Sequence, residues 1–452
     1  MEIVIIGDGK VGLTLTAQLS KEGHNIVIID RDPQVLRETV EQFDVLGVCG
    51  NGASLSVQRE AGVGNADLLI AATSSDEVNM ICCVSARKLG VRRTIARVRN
   101  PEYAEQLVFL KEELGLSMTI NPEKAAAMEI LNLLRFPAAL KRDTFAKGRV
   151  EIIELKLKED NPLCGKYLSE LAKVAKAQVL ICAVERDEQV YIPTGAFQLQ
   201  EEDEIYVTGA ARNLAALVNH LDIESRKIKN VMMIGGGRIA FYLAAALLQD
   251  GCAVKIIEID PDRCEHLASI LPHAHIINAD GSQPNILLSE GLADADALIS
   301  LTDIDEENMV LSMYANHLGV SKVITKINRV EYDEVFRNMG INSIVSPKNL
   351  VCNDIVRYVR AMQNTSEDAV IALHRIVNNR VEALEFLVSE DTDYLGIPLR
   401  DIQLKPDILI ACINRSGVII IPNGSSYLQK GDSVIVVTTA DRMYSNLNSI
   451  FA

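Results

Sequence analysis

The apolar positions of this chain form short runs, separated by longer stretches in which apolar and polar residues alternate with a helical period. The first six runs span residues 3–6, 26–29, 45–48, 68–71, 94–98 and 118–120. Short apolar runs alternating with helical stretches are typical of a mostly parallel, doubly wound α/β sheet. The same order returns from residue 231 to about residue 345. The pattern therefore predicts two tandem Rossmann-like sheets.

A different pattern follows each predicted sheet. Pro122 and Pro347 come directly after the last strand-like runs, where a proline suits the first position of a helix. Beyond them, residues 150–157, 179–191 and 381–438 contain short alternating or apolar runs divided by turns, so we expect two small α+β modules. The predicted domains are two nucleotide-binding sheets, residues 1–122 and 228–346, and two crossover helices with their modules, residues 123–222 and 347–452. The charged stretch 224–230 is the predicted linker.

Two glycine motifs mark the start of the two predicted sheets. GDGKVG (residues 7–12) and GGGRIA (residues 235–240) each follow an apolar run, and an acid, Asp30 or Glu258, lies 18 positions beyond each motif. The similarity continues, since TSSDEVNM (residues 73–80) matches TDIDEENM (residues 302–309). A glycine turn with an acid at the end of the next strand describes a dinucleotide-binding half-fold. The half-fold occurs twice, which is more typical of a sensor than of a catalyst.

The glycine motifs predict a binding site for a pyrophosphate. The first glycine permits a tight turn, the second lets the backbone approach the phosphates, and the following helix directs its amide dipoles at them. Asp30 and Glu258 are placed to accept hydrogen bonds from both ribose hydroxyls of an adenosine, and a carboxylate there repels a 2′-phosphate. The sequence therefore favours NAD(H) or an adenine nucleotide over NADP. Lys10 and Arg238 share one position in the loops, where a cation either meets a phosphate or remains exposed.

Further polar residues follow the fourth and fifth predicted strands, at the sheet edge where such folds bind ligands. They are Thr73, Ser74, Thr302 and Asp303 after the fourth strands, and Arg97 and Lys326 at the ends of the fifth. A cation at this edge would complete a phosphate cradle, although a solvated strand-end charge is an alternative. Helix capping is the alternative for Thr73, because Thr73 with Asp76 fits the capping pattern.

Composition and charge limit the classes of function. The chain has 452 residues, of which 48% are hydrophobic, and a formal charge of -16. This length predicts several domains, and the negative charge disfavours general binding to nucleic acid or to anionic lipid. Met1 opens directly into a strand pattern, and no apolar run approaches the roughly 20 residues that span a bilayer. We therefore expect a cytosolic protein whose membrane role is peripheral.

Catalytic motifs are missing from the sequence. We find no G-x-x-x-x-G-K-[ST], no H-E-x-x-H, no G-x-S-x-G, and no histidine-centred pair suited to proton transfer beside a nicotinamide. The modules after each nucleotide-binding fold are also too small for the substrate domain of a usual dehydrogenase. We expect a protein that is not an enzyme, with an NAD-dependent oxidoreductase as the alternative.

These motifs together resemble a known family. GDGKVG, Asp30, GNGAS (residues 50–54), ATSSDEVNM (residues 72–80) and IARVR (residues 95–99), all repeated in weaker form, resemble the TrkA family of tandem regulator-of-potassium-conductance (RCK) proteins. The resemblance covers essentially the whole chain. It implies a cytosolic regulatory subunit that binds NAD(H), ATP or ADP and gates a Trk-type membrane potassium transporter. It also implies a homotetramer, in which four tandem chains form a ring of eight units on the inner face of the membrane. A regulatory subunit of another cation channel or exchanger is the alternative.

The resemblance also implies individual site residues. In the first half the nucleotide-contacting positions are Gly7, Asp8, Gly9, Lys10, Val11, Gly12, Asp30, Gly52, Thr73, Ser74 and Arg97. In the second half they are Gly235, Gly236, Gly237, Arg238, Ile239, Glu258, Thr302, Asp303 and Lys326. Single-repeat relatives place a divalent cation on a glutamate that matches Glu123, whose counterpart here is Lys348, so at most one half could hold such an ion. Whether the second half binds NAD, ATP, ADP or nothing is left open.

Overall fold

The first sheet is parallel and has six strands in the order β3-β2-β1-β4-β5-β6. The computed structural model describes residues 1–145, 149–175, 177–221, 227–329, 336, 339–363, 370–377, 380–440, 442, 444 and 446–452. The strands are β1 (Glu2–Ile6), β2 (Asn25–Asp30), β3 (Leu46–Cys49), β4 (Leu68–Ala71), β5 (Arg93–Arg97) and β6 (Met118–Ile120). The helices around them are α1 (Lys10–Lys21), α2 (Pro33–Gln42), α3 (Leu55–Glu60), α4 (Asp76–Leu89) and α5 (Pro101–Leu110). This is the predicted doubly wound sheet.

A crossover helix, α6 (Pro122–Arg135), leads from the first sheet to the first small module. Pro122 is at the first helical position, as expected, and the Asn121 side chain caps the helix by accepting a hydrogen bond from the Lys124 N–H at 2.9 Å. The module is a five-stranded antiparallel sheet with two helices, namely β7 (Lys141–Phe145), β8 (Val150–Lys156), α7 (Leu171–Ala175), β9 (Val179–Arg186), β10 (Gln189–Tyr191), β11 (Glu204–Ala210) and α8 (Ala211–His220).

The second half repeats this architecture. Its parallel sheet contains β12 (Asn230–Ile234), β13 (Ala253–Glu258), β14 (His275–Asn278), β15 (Ala297–Ser300), β16 (Lys322–Lys326) and β17 (Ile344–Val345), in the same relative order as the first sheet. Its described helices are α9 (Arg238–Gln249), α10 (Pro261–Ile270), α11 (Pro284–Ser289) and α12 (Asp305–His317). The crossover helix α13 (Pro347–Gln363) begins at the predicted proline. The second module contains the antiparallel strands β18 (Val370–Ile376), β19 (Val381–Leu387), β20 (Ile408–Arg415), β21 (Val418–Ile420) and β22 (Ser433–Thr439).

The prediction of two Rossmann-like sheets, each with a small module, is confirmed. We propose the same four domain boundaries, although residues 224–226 of the predicted linker lie outside the described residues. The sequence pattern missed β7 and β18, which add an edge strand to each module. β7 reads KRDTF and carries three charged residues, because one side of an edge strand has no neighbouring strand and tolerates polar positions.

The two halves exchange their crossover helices. Ile130 and Leu134 of α6 are buried with Leu243 of α9 in the core of the second sheet. Conversely, Ile355 and Val359 of α13 belong to the core that covers the first sheet. Each crossover helix has an apolar stripe at helical spacing, and that stripe is buried against the other half of the chain. The halves are therefore interlocked, and each Rossmann-like fold is in direct contact with the crossover helix of the other half.

The two small modules also contact each other. Phe145, Ile152 and Tyr206 of the first module form one buried cluster with residues of the second, among them Ile376 and Val437. Because these side chains are at most 2% exposed, the modules share a continuous apolar core.

Candidate functional site

The glycine loops have the geometry that a dinucleotide-binding turn requires. Gly7 and Gly235 both adopt φ +98°, a backbone conformation that residues other than glycine rarely adopt. A Cβ on Gly7 would lie 2.8 Å from the Thr73 amide nitrogen, so the loop also packs closely on the end of β4. At the second glycine of each motif, Gly9 and Gly237, a Cβ would meet no heavy atom within 4 Å. The backbone of the second glycine is therefore open on the side where a ligand would approach.

The third position of the motif differs between the halves. A Cβ on Gly12 would lie 1.9 Å from the Gly7 carbonyl oxygen, so the first loop has no room for a methyl group. Ala240 occupies this position in the second loop and is fully buried. The position serves packing between helix and loop in both halves, and the second loop accommodates the larger residue.

Each acid at the end of the second strand is held by the backbone of its own glycine loop. Asp30 Oδ2 accepts a hydrogen bond from the Asp8 N–H at 2.7 Å, and Oδ1 accepts one from the Asp32 N–H at 2.9 Å. Glu258 repeats this arrangement with the N–H groups of Gly236 at 2.6 Å and Asp260 at 2.9 Å. Since a carboxylate has about four acceptor positions, both acids retain capacity for ribose hydroxyls.

The sheet edge after β4 and β5 is organised by a buried asparagine that the sequence reasoning missed. Asn79 Oδ1 accepts hydrogen bonds from the Thr73 N–H at 2.8 Å and hydroxyl at 2.7 Å, and its amide nitrogen donates to the Arg97 carbonyl at 2.9 Å. Asn308 makes the equivalent bonds in the second half, to Thr302 and to the Lys326 carbonyl. The repeated Asn-Met pair at the end of both TSSDEVNM and TDIDEENM was the available signal.

The capping alternative for Thr73 is wrong. Ser75 is the N-cap of α4, and its hydroxyl accepts a hydrogen bond from the Val78 N–H at 3.2 Å. The Thr73 hydroxyl instead donates to Asn79, which fixes the loop against the neighbouring strand. Asp76 is also not a cap partner, because its Oδ2 accepts from the N–H groups of Arg99 and Asn100, both at 2.8 Å.

The cations at the ends of the fifth strands have different surroundings. Arg97 is half-buried, and loss of water around its guanidinium, followed by repulsion from Arg99, lowers its pKa from the ordinary value. Lys326 Nζ is 2.9 Å from Asp303 Oδ1, and this hydrogen bond lowers the pKa of the Asp303 carboxyl. In the first half the position of Asp303 is held by Ser74, which carries no charge. The cation at the second edge therefore has an acidic partner that the cation at the first edge lacks at this position.

Two other predicted residues have local packing roles. Asp8 is 4% exposed, and burial raises the pKa of its carboxyl, an effect to which the neighbouring Asp30 carboxylate adds. Gly52 packs tightly against β1, since a Cβ at this position would be 2.1 Å from a methyl carbon of Ile6. Gly281 has the same relation to the second sheet, at 2.5 Å from Ile234.

A single cleft of about 980 Å³ brings the two halves together. The first half contributes Lys10, Val11, Arg97, Arg99 and Glu123. The second contributes Gly235, Gly237, Arg238, Ile239, Glu258, Thr302, Asp303, Lys326 and Lys348, together with Ile259 and Arg263. The predicted site residues that lie outside this lining are Gly7, Asp8, Gly9, Gly12, Asp30, Gly52, Thr73, Ser74 and Gly236. The cleft is therefore formed mainly by the second fold, with the start of α1, the end of β5 and the start of α6 from the first, and it is rich in basic side chains although the chain as a whole is acidic.

The predicted cation position at Glu123 is surrounded by positive charge. Arg99 Nη1 lies 3.9 Å from Glu123 Oε1, and Lys348 lines the same cleft. Oε2 is buried and accepts no hydrogen bond from the described residues. Among the described residues no three histidine, cysteine or acidic side chains are grouped as metal ligands. These surroundings do not fit a divalent cation, because Arg99 already supplies the positive charge at this carboxylate.

Comparison with known proteins finds relatives that align with this chain over nearly its whole length. The TrkA-N domain family matches residues 3–122 and 231–347, and the TrkA-C domain family matches residues 152–222 and 383–448. The chain is 32% identical to Trk system potassium uptake protein TrkA homolog 1 of Methanosarcina mazei, over 97% of this chain and 98% of the relative. It is 30% identical to Trk system potassium uptake protein TrkA of Halomonas elongata, over 100% and 98%.

Solved structures share the fold. The GsuK RCK domain aligns with a TM-score of 0.64 and 20% identity, over 97% of this chain and 92% of that one. The GsuK channel bound to NAD aligns with a TM-score of 0.63 and 20% identity, over 97% and 77%. No helix among the residues that the structure describes is long and apolar enough to cross a bilayer.

The fold and the paired glycine loops define a protein with two tandem Rossmann-like folds, each of which carries a small antiparallel module. The chain belongs to the TrkA family.

Proposed function

We propose that this protein is a cytosolic regulatory subunit of potassium uptake, which binds NAD(H) or adenine nucleotides and gates a Trk-type membrane transporter. The observation that carries the proposal is the cleft shared by the two halves, since a ligand bound there touches Lys10 of one half and Arg238 of the other. The relatives named as Trk system potassium uptake proteins support the transporter partner. The neighbour named as a channel bound to NAD has the same fold, and with the relatives it supports a nucleotide as the ligand.

Within this proposal the equivalent residues of the two halves share their roles. The open backbone at Gly9 and Gly237 receives the phosphates, and Asp30 and Glu258 accept the ribose hydroxyls. Arg97 and Lys326 add positive charge at the far end of the pyrophosphate. Thr73, Ser74, Thr302 and Asp303 shape the loops that close over it.

A ligand gates the protein only if it binds one arrangement of the halves better than another. A hundredfold preference for one arrangement shifts the equilibrium by about 2.7 kcal/mol. The exchanged crossover helices provide the mechanical connection, because α13 packs on α1, which begins at the first glycine loop and ends at Lys21. A shift of α1 therefore moves α13 and the module that follows it.

The far end of α1 is fastened to the second module by a buried group of charges that we name the Glu22 cluster, which consists of Glu22, Arg360, Arg375 and Glu382. Arg360 Nη2 donates to Glu22 Oε1 at 2.7 Å, and Arg375 Nη2 donates to the same oxygen at 3.1 Å. Both arginines also bind Glu382, at 3.2 to 3.3 Å. The Glu22 and Glu382 side chains are 5% and 2% exposed. The cluster joins the first nucleotide-binding fold, α13 and the second module at one point.

The equivalent connection in the other half is weaker. Asp250 follows α9 as Glu22 follows α1, and Arg135 occupies in α6 the position of Arg360 in α13. Arg135 and Asp250 form a bidentate ion pair, with hydrogen bonds of 2.8 and 2.9 Å, but their side chains are 52% and 34% exposed. Exposed pairs contribute at most about 1 kcal/mol. Signals from the first nucleotide site therefore reach the modules through the firmer connection.

Assembly into a tetramer should depend on apolar residues that both halves expose at the same place. Ile81 on α4 and Val310 on α12 are equivalent residues and are 52% and 65% exposed. We expect wild-type protein to scatter light as four times 49.6 kDa, and Val310→Asp to yield smaller species, because a carboxylate in an apolar contact has no partner. Val418→Asp is the matched control, since Val418 is also 65% exposed but lies on β21. A stable wild-type monomer, or equal dissociation of both variants, would contradict this assembly.

Gating is tested in liposomes that contain a Trk-type transporter. Rubidium uptake is compared with and without this protein, and with ATP, ADP or NADH present. We expect the protein to change uptake in a manner that depends on the nucleotide, while NADH absorbance stays constant. Uptake that ignores every nucleotide would reject the proposed gating, and steady oxidation of NADH by the protein alone would favour the oxidoreductase alternative.

A further inference from the structure

The two modules and the two crossover helices meet at one group of titratable side chains. Lys141 Nζ of β7 donates to the Arg375 carbonyl oxygen of β18 at 2.8 Å, and the His374 ring lies 4.3 Å from the Phe145 ring. The helices α6 and α13 pack on each other, and each packs on the edge strand that follows it. We name this group the His374 cluster, which consists of Glu129 on α6, Lys141 and Asp143 on β7, Asp354 and Arg357 on α13, and His374 on β18.

The cluster is built on equivalent positions of the two halves. Asp143 and His374 pair with equivalent residues of β8 and β19, and their side chains contact each other. Glu129 and Asp354 each lie seven residues after the proline that begins their crossover helix. The approximate twofold relation between the halves therefore brings three acids and one histidine to the same place.

Hydrogen bonds at both ring nitrogens hold His374 in its uncharged form. Nδ1 lies 3.0 Å from Asp143 Oδ1, and Nε2 lies 3.3 Å from Arg357 Nη1. Burial disfavours an ionised Asp143, but Lys141 and the hydrogen bond with His374 outweigh burial and lower the pKa of this carboxyl from its ordinary value. An ionised carboxylate only accepts and a guanidinium only donates, so the ring carries its hydrogen on Nδ1 and accepts at Nε2.

The other charged groups around the cluster have partners of their own. Arg142 on β7 pairs with Glu151 of β8 at 2.6 Å, and Arg375 on β18 belongs to the Glu22 cluster. Lys322 of β16 and Glu154 of β8 attract each other. Within each of these groups positive and negative charges offset one another.

Within the His374 cluster the charges do not balance. Three carboxyl groups face the two cations Lys141 and Arg357, and His374 is uncharged, so one negative charge is in excess. A charge that is taken out of water without compensation is costly, and uptake of one proton removes it. The other two acids have ion-pair partners within the cluster, so the proton belongs on Glu129.

We propose that the His374 cluster is a proton switch, in which protonation of Glu129 as the pH falls through neutrality holds the two modules and the two crossover helices more firmly together. Burial, followed by repulsion from Asp143, raises the pKa of the Glu129 carboxyl to about 7, although Lys141 and Arg142 oppose this shift. Because the pKa in the folded protein lies above the ordinary value of 4.5, the added stability is complete below that value and is lost as the pH rises through about 7. The switch gives the protein an input that does not depend on the nucleotide.

Amide hydrogen exchange in β7 and β18 tests the switch on the full chain without nucleotide. After correction for the intrinsic effect of pH, opening of these strands should be about tenfold less frequent at pH 6 than at pH 8, as expected for one carboxyl that regains its ordinary pKa when the strands open. Glu129→Gln has no proton to take up and should show the low-pH protection at both values. Glu41→Gln changes an exposed acid on α2 and, as the matched control, should keep the tenfold difference.

Asp143→Asn is a second variant for the case in which Glu129→Gln does not fold. It removes the repelling carboxylate and keeps an oxygen that accepts from His374 Nδ1, so the midpoint of the pH dependence should move to lower pH. Equal opening at both pH values in the wild-type protein would overturn the inference, and so would a tenfold difference that persists in Glu129→Gln. An unmoved midpoint in Asp143→Asn would overturn it as well, because the group that takes up the proton would then lie outside the cluster.

Discussion

Asp30→Ala is expected to weaken binding of NADH and ADP at the first site by about 10- to 100-fold. The substitution removes the carboxylate and with it the charge-assisted hydrogen bonds to the ribose hydroxyls, which contribute about 1.5 to 3 kcal/mol. The N–H groups of Asp8 and Asp32, which donate to the carboxylate at 2.7 and 2.9 Å, would also lose their acceptor, so the glycine loop would lose an anchor. Titration calorimetry measures the change directly.

Two further variants make this result interpretable. Asp44→Ala changes an exposed acid of the same domain and should leave the affinity unaltered. Glu258→Ala should have a smaller effect than Asp30→Ala, because the second glycine motif is the more degenerate one, with Ala240 in place of the third glycine. An Asp30→Ala protein that is folded and binds with wild-type affinity would remove Asp30 from the site.

Much of the nucleotide-binding fold follows from the sequence because its signals are local and repeated. The buried central strand β1 is a run of aliphatic residues, and the turn after it needs Gly7 at a positive φ, so strand, turn and helix are specified within about a dozen residues. The repeat adds a second observation of every element. The edge strand β7 was missed because its charged residues leave no continuous apolar pattern. The edge strand β18 does begin with an apolar run, VIAL, which was overlooked.

The exchange of crossover helices is a property that local patterns do not specify. The stripe containing Ile130 and Leu134 predicts that α6 is buried, but an apolar stripe is equally suited to either sheet. The choice depends on the path of the chain and on contacts between residues far apart in sequence. Local patterns do not specify the Glu22 cluster either, because Glu22 and Arg360 are separated by 338 positions.

The site residues also divide into those that local sequence patterns predict and those that depend on how the halves pack. The glycine loops, the acids and the cations were found from spacing, whereas the cleft that brings Lys10 to the second site depends on how the halves pack. Capping was the alternative for Thr73, and the structure gives that role to Ser75, because sequence spacing alone does not decide between two hydroxyls two residues apart. Ile259 and Arg263 could have been found by comparing the two repeats position by position.

The second large effect is expected from Glu22→Gln, which removes one charge from the Glu22 cluster and leaves Arg360 and Arg375 with Glu382 alone. Breaking a buried ion pair costs about 3 to 5 kcal/mol, so the melting temperature should fall clearly. Asp250→Asn is the matched control at the equivalent position of the other half. Its pair with Arg135 is exposed, and the expected loss is below about 1 kcal/mol. Scanning calorimetry compares the two variants.

The same pair of variants tests whether the first nucleotide site acts on the second module. In the wild-type protein, NADH or ADP should slow amide hydrogen exchange in β18 and β19, which lie beyond the Glu22 cluster and line neither the glycine loops nor the shared cleft. Glu22→Gln should still bind nucleotide, because Glu22 follows α1 at the end opposite the glycine loop, but protection of β18 and β19 should be lost. Asp250→Asn should retain it. If Glu22→Gln proves too unstable to purify, Arg375→Lys weakens the same cluster with the charge preserved. Protection that survives in both cluster variants would show that the nucleotide signal does not pass through Glu22.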